Sequence, residues 1–171
     1  AVSEGLAERT SSLILDFKQT SQTFVFTDVP EEPVPSLLRG YCAPVNLEWD
    51  ATDRQLAFLL ANDSDAFNRW EAGQQLAMRR LVALTQAVMQ HQPLTLDNAV
   101  IDAFSSVLAN EALDAAFKRE VLMLPSEAAI GSKMSILDPS AIRVARIFMS
   151  KQIAQVLKEQ WVKCFWAHQS S

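Results

Sequence analysis

The spacing of apolar residues changes along the chain and divides the sequence into two parts. Up to Trp49 many apolar residues alternate with polar ones, whereas after Thr52 they recur every three or four positions. Alternation is typical of a half-buried strand, and the longer period is typical of an amphipathic helix. We therefore predict an α+β protein that is mainly α, with an antiparallel β segment over residues 1–51 and a helical domain over residues 52–171.

Three short segments carry the β pattern: Ser12–Phe17, Thr23–Val29 and Pro44–Trp49. The first two predict a hairpin closed by the polar residues 18–22. The prolines within residues 30–35 exclude regular hydrogen bonding there, so this stretch is predicted to be a connector. Three strands with one apolar face are barely enough for a domain, because a hairpin needs a third strand or a helix to be stable.

Capping residues and prolines mark the predicted helices. Thr52 begins the first, Asp63 or Ser64 caps a long helix over residues 65–91, and Asp97 begins a third. A fourth ends at Pro125, one more turn covers residues 126–132, and the Asp-Pro pair at 138–139 begins the last. Short loops between helices favour antiparallel packing of the solenoid type, although no clean internal repeat is visible. The inward positions predicted for the long and the last helix are Phe67, Trp70, Ala77, Leu81, Leu84, Val88, Ile142, Ala145, Met149, Ile153, Val156 and Trp161.

Composition excludes several classes of protein. Apolar residues make up 49% and charged residues 20% of the 171 positions, which is typical of a globular chain. The formal net charge of −5 gives no basic footprint for nucleic acid. No apolar run approaches the roughly 20 residues that span a bilayer, so no membrane partner is expected. The first twelve residues lack the features of a signal peptide, and we expect a cytoplasmic location.

The sequence contains no recognisable catalytic or metal-binding motif. Its two histidines, His91 and His168, are 77 positions apart, and CxxC, GxGxxG and P-loop patterns are absent. We interpret His91 as a solvated residue at a helix end and His168 as part of a disordered polar tail. We therefore predict no catalytic, cofactor-binding or metal-binding residue in this chain.

Three other groups of residues were weighed as functional candidates. Arg69 and Glu71 flank Trp70, and either one could pair with a residue across the β/α boundary; the alternative is that both are solvated charges beside an inward tryptophan. Cys42 and Cys164 are predicted to be free thiols. The tail segment WVKCFW, residues 161–166, would place Trp161, Cys164 and Phe165 on one helix face, either closing the core or forming a self-association patch.

Five strings in the sequence resemble bacterial aminopeptidase N, a gluzincin zinc alanyl aminopeptidase. They are TFVFTDV, PVPSLLRGYCAPVNLEW, DAFNRWEAGQQL, LMLPSE and DPSAI, and they occur in order between about Thr23 and Trp161. The resemblance implies that residues 1–51 are the second half of a small β-sandwich and that residues 52–171 are the start of a C-terminal α-solenoid that caps the active-site cavity.

The resemblance also implies a zinc cofactor, which is held in that family by an HExxH motif and a further carboxylate. Because the motif is absent from this sequence, no cofactor is expected in this chain, and zinc is expected only in a full-length enzyme. The chain would then be a non-catalytic structural portion of an aminopeptidase, inactive alone, whose partner is the remainder of that enzyme. The alternative is a stand-alone helical interaction module, or a truncated remnant, that associates through its open β face or its tail.

Overall fold

The structure, a computed structural model, describes residues 14–41, 44–45 and 47–169 of the chain. The chain divides after Pro33 into two compact units. The described residues of the second unit contain every helix, so the protein is mainly helical, as predicted. The second unit, Val34–Ser171, also includes residues that precede the first helix.

The predicted N-terminal hairpin is not confirmed. Ser12 and Leu13 lie outside the described residues, and residues 14–33 contain neither helix nor strand. Asp28 adopts a positive φ of 59°, which interrupts the pattern within Thr23–Val29. Phe17 and Phe24 contact each other at 6.2 Å between ring centroids, but Val25 is 79% exposed. The alternating apolar residues within 14–33 therefore do not form a buried sheet face.

The third predicted strand, Pro44–Trp49, is not confirmed either. Asn46 lies outside the described residues, and the others in this segment pair with no neighbouring strand. Trp49 packs against the helical core, whereas Val45 and Leu47 remain exposed. A strand requires a backbone partner for its N–H and C=O groups, and the described residues supply none here.

Seven α-helices account for most of the residues that the structure describes in the second unit. A short 3-10 turn, Arg39–Tyr41, precedes them. The helices are α1 (Asp53–Asn62), α2 (Ala66–Met89), α3 (Asn98–Ala109), α4 (Ala115–Leu122), α5 (Glu127–Gly131), α6 (Pro139–Val156) and α7 (Lys158–His168).

Side-chain caps explain where most of these helices begin. Thr52 and Gln55 form a capping box at α1, which confirms the predicted start. The long helix α2 is capped by Asp65, whose carboxylate accepts the N–H of Asn68, so the predicted caps Asp63 and Ser64 are wrong. Helices α3 to α6 begin with the same arrangement, and their caps are Asp97, Asp114, Ser126 and Asp138.

Helix α2 lies at the centre of the unit, in contact with α1, α4, α5 and α6. Its predicted inward residues Ala77, Leu81 and Leu84 are buried, whereas Phe67, Trp70 and Val88 are only half-buried. The fully buried large side chains around it come from several helices. They include Leu56, Leu60, Phe104, Val121, Ile130, Ile142 and Met149.

The last predicted helix is divided at Leu157. Helix α6 ends at Val156 and α7 begins at Lys158. Leu157 is buried at this junction, while Val156, a predicted inward residue, is exposed. The pattern of three- and four-residue steps does not reveal this break, because Val156 and Leu157 are both apolar and lie three and four positions after Ile153.

Gly73 allows α1 and α2 to approach closely. A Cβ atom at Gly73 would lie 3.1 Å from Leu60 Cδ1 and 3.8 Å from Val121 Cγ1. Leu60 and Val121 are both fully buried, so neither has free space into which it can move. The absence of a side chain at position 73 is thus part of the packing of the core.

We predict that Gly73→Val lowers the free energy of unfolding by about 1–3 kcal/mol, because the added methyl groups overpack the contact with Leu60. Chemical denaturation measures this change. Ala83→Val, at an exposed position of the same helix, is the control and is expected to cost about 0.5 kcal/mol through helix propensity alone. Equal losses in the two variants would contradict the close-packing argument.

Candidate functional site at the Arg39 clamp

The most connected polar cluster joins the residues before α1 to the start of α2. The guanidinium of Arg39 donates to Asp63 Oδ1 at 2.9 Å, to Ser64 Oγ at 2.7 Å and to Ser36 Oγ at 3.1 Å. We call these three hydrogen bonds the Arg39 clamp. Hydrogen bonds between a guanidinium and a carboxylate are roughly twice as strong as neutral ones, so the clamp ties residues 36–39 to the loop between α1 and α2.

The backbone around Arg39 is bent to make this contact. Leu38 and Gly40 both have positive φ, 53° and 63°. For leucine this conformation costs about 1–2 kcal/mol. In return, the Gly40 N–H donates to Asp65 Oδ2 at 3.1 Å.

Asn68, in the first turn of α2, holds the same segment from the other side. Its Nδ2 donates to Ser36 Oγ at 2.9 Å and to the carbonyl oxygen of Leu37 at 2.8 Å. Residues 36–40 are therefore attached to the helices through both backbone and side-chain atoms.

Two aspartates, Asp63 and Asp65, carry the negative charge next to Arg39. The Asp63 side chain is only 1% exposed, and its Oδ1 accepts both Arg39 and the Asp65 N–H at 2.8 Å. The Asn68 N–H is the first cause that holds the pKa of the Asp65 carboxyl below its ordinary value of 3.8, and the Gly40 N–H and the Arg39 charge act in the same direction. Partial burial opposes this lowering. Both carboxylates are thus stabilised by donors that the fold brings to them.

The polar residues selected from the sequence have different partners from those expected. Arg69 is buried and donates to the carbonyl oxygen of Ala61 at 3.0 Å. Glu71 accepts from Gln75 at 2.9 Å, one turn further along α2. These bonds stay within α1 and α2, and the contact between residues 36–40 and the start of α2 is made instead by Arg39, Gly40 and Asn68. Sequence reasoning missed Arg39 because its partners are 24 and 25 positions away and nothing local marks them.

A second ionic cluster joins the first three helices. Asp53 at the start of α1 pairs with Arg79 at 3.1 Å and also with Arg80. Arg80 in turn pairs with Asp97, the cap of α3, at 2.7 Å. Arg79 also donates to the carbonyl oxygen of Ala51 at 2.6 Å. The two adjacent arginines of α2 thereby neutralise acidic residues at two helix N-termini.

The described residues contain no group of three or more His, Cys, Asp or Glu side chains that could hold a metal ion. His91 is exposed at the end of α2, as interpreted from the sequence. His168 is the last residue of α7 and is half-buried, so its assignment to a disordered tail is wrong. The described residues thus do not form the donor set of a zinc peptidase.

The aromatic tail forms the helix α7. Trp161, Cys164 and Phe165 line one cavity of about 290 Å³ together with Ala115 and His168, which confirms that the three share a face. Trp161 and Cys164 are half-buried, while Phe165 and Trp166 are exposed. Cys164 is a free thiol, and Cys42 lies outside the described residues. The tail therefore closes the core only on the side of Trp161 and Cys164.

We predict that Arg39→Ala lowers the free energy of unfolding by about 1–3 kcal/mol, since it leaves the buried Asp63 without its cation. Half of the Arg39 side chain is exposed, which limits the cost. Urea denaturation measures the loss, and Arg39→Lys is expected to recover only part of it because lysine lacks the planar fork. Arg143→Ala, at an exposed position in α6, is the control; a loss as large as that of Arg39→Ala would contradict a specific clamp.

A second prediction concerns pH. Because the pKa of Asp65 is lower in the folded protein, its ionisation stabilises the fold above pH 3.8, and this contribution is lost as the pH falls through the folded-state pKa. Asp65→Asn keeps a capping side chain and removes the ionisation. Urea midpoints should therefore favour the wild-type chain at pH 7, and the difference should shrink at pH 2.5. A difference that is constant across this range would contradict the assignment.

No helix among the described residues combines the length and apolar character that crossing a membrane requires.

Comparison with known proteins supports the resemblance stated above. Residues 53–171 match the family described as "Domain of unknown function (DUF3458_C) ARM repeats", and residues 2–50 match "Domain of unknown function (DUF3458) Ig-like fold". Together the two family matches extend past both ends of the segment between Thr23 and Trp161 that carries the aminopeptidase N resemblance. The armadillo-repeat description agrees with the solenoid type of helical array predicted from the sequence.

Curated relatives are bacterial enzymes named aminopeptidase N. The chain is 37% identical over 158 residues to that of Escherichia coli, covering 92% of this chain and 18% of the relative. It is 37% identical over 151 residues to the Caulobacter vibrioides protein, covering 88% and 17%, and 31% identical over 152 residues to the Haemophilus influenzae protein, covering 89% and 18%. The chain thus spans less than a fifth of the length of these relatives.

A solved structure has the same fold. The crystal structure of Legionella pneumophila aminopeptidase A in complex with aspartic acid matches with a TM-score of 0.68 and 24% identity, over 85% of this chain and 17% of that one. Taken with the family match over residues 53–171, these similarities show that the chain belongs to the DUF3458_C family of armadillo-repeat domains and resembles a segment of bacterial aminopeptidase N.

Proposed function

We propose that this chain is a non-catalytic structural portion of a zinc-dependent aminopeptidase that removes N-terminal residues from peptides. The observation that carries the proposal is the similarity to aminopeptidase N, which covers 92% of this chain but only 18% of the relative. The described residues offer no ligand set for zinc, and this agrees with a role outside the catalytic centre. The partner of the chain is then the remainder of the enzyme, in the cytoplasm.

The Arg39 clamp suggests how such a portion performs its role. Residues 36–40 precede the helical array in sequence and are held to it by five hydrogen bonds to residues 63, 64, 65 and 68. The clamp thereby fixes residues 36–40 against the start of α2 and the loop before it. In the proposed enzyme, the array would cap the active-site cavity and limit access to short peptides.

The test is an activity and metal measurement on the purified chain. We expect no hydrolysis of an alanyl p-nitroanilide substrate above the buffer rate and no bound zinc by mass spectrometry. The positive control is the enzyme from Escherichia coli under the same conditions. Hydrolysis by a purified chain that retains zinc would contradict a non-catalytic role if chelation removes the zinc and the activity together.

A second function is favoured by the exposed apolar residues of α7. Phe165 and Trp166 are 58% and 63% exposed, and their rings contact each other at 5.4 Å. Such a surface suits a stand-alone helical module that associates with a partner or with another copy through α7. Light scattering distinguishes self-association of such a module from the structural role proposed above. A dimer that dissociates when Phe165 and Trp166 are replaced by serine supports the module, and a monomer counts against it.

A further inference from the structure

A large open groove runs beside α2, away from the Arg39 clamp. Its volume is about 1000 Å³, and it is bordered by residues 47–50, by one face of α2 and by Lys133. Trp49, Met78 and Val82 line it with apolar surface, and each of them also packs against the core. The apolar part of the groove is therefore held in place by the fold.

The charged residues of the groove are mainly acidic. Glu48, Asp50 and Glu71 line it, and none of them forms a salt bridge with any residue that the structure describes. Arg79 also borders the groove, but its guanidinium is engaged by Asp53 and the Ala51 carbonyl oxygen. Among the residues that the structure describes, Lys133 is the other cation on the lining and forms no salt bridge, so the groove has three carboxylates and one ammonium group without an ionic partner there.

We propose that this groove binds an extended basic peptide segment, in which a lysine or arginine neighbours an apolar side chain. The cation meets the carboxylates, and the apolar side chain packs on Trp49, Met78 and Val82. Successive side chains of an extended peptide point to opposite sides, which suits a groove lined by both apolar and acidic side chains. A second copy of this chain is a poorer occupant, because each copy carries a net charge of −5. The inference does not depend on the proposed function.

The first test compares two labelled peptides by fluorescence anisotropy. The probe is an acetylated, amidated nine-residue peptide of alternating arginine and leucine, and its counterpart has glutamate in place of arginine. We expect the basic peptide to bind the full chain at 50 mM salt and to bind at least about tenfold more weakly at 500 mM, where exposed charges are screened. The acidic peptide should not bind. Equal binding of the two peptides would overturn the proposal.

Paired variants separate the groove from the overall charge of the protein. Asp50→Asn with Glu71→Gln removes two groove carboxylates, and Glu111→Gln with Glu159→Gln removes two exposed carboxylates that lie outside it. Both double variants change the net charge by the same amount. We expect the groove variant to bind the basic peptide at least about fivefold more weakly and the other to bind as the wild type does, with unchanged thermal midpoints.

Two outcomes would refute the inference. Equal weakening in both double variants would mean that the peptide is attracted by the whole acidic chain. A peptide-free dimer in light scattering that dissociates only in the groove variant would assign the groove to a second copy of the chain.

Discussion

The burial of α2 is the constraint on which the helical unit depends. This 24-residue helix contacts four other α-helices, and its buried residues recur at helical spacing from Arg69 to Thr85. Amphipathic helices of this kind derive most of their stability from packing, since propensity alone leaves an isolated helix marginal. Gly73 allows a close contact in this packing, because the absence of a side chain there lets Leu60 and Val121 reach the helix.

The polar clusters lie at the edges of this packing and determine how the chain enters it. Helix α2 begins at the Arg39 clamp, and further along it Arg79 and Arg80 join the N-termini of α1 and α3. The buried Lys118 has a related role, since its ammonium group donates to the Leu108 carbonyl oxygen near the end of α3. In each case a long cationic side chain satisfies acceptors at a helix end that the core cannot satisfy. The helices are thus fixed by apolar burial and oriented by a few charged contacts.

The helical part of the fold could be predicted because its signals are local. Thr52, Asp97 and the pair Asp138-Pro139 mark helix starts within a few residues, and the three- and four-residue steps identify Leu81 and Met149 as buried. The break at Leu157 could not be predicted, because Val156 and Leu157 are both apolar and either continues the helical spacing from Ile153.

The site and the N-terminal segment depend on distant partners. The alternation in Thr23–Val29 suggested a strand, yet a strand exists only where another strand accepts its hydrogen bonds. The Arg39 clamp joins residues 24 and 25 positions apart, and no spacing rule identifies such a pair. The aminopeptidase resemblance was accessible from the sequence because it rests on strings of several residues in a fixed order.

The central claim is that this chain is a structural portion of a larger aminopeptidase. The most direct measurement is the mass of the native protein that carries this sequence, by immunodetection and mass spectrometry of an extract from the source cells. The account predicts a species several times heavier than 19.0 kDa, whose peptides include both this chain and an HExxH segment. A native species of about 19.0 kDa, with no such segment, would contradict the claim and favour a stand-alone helical module.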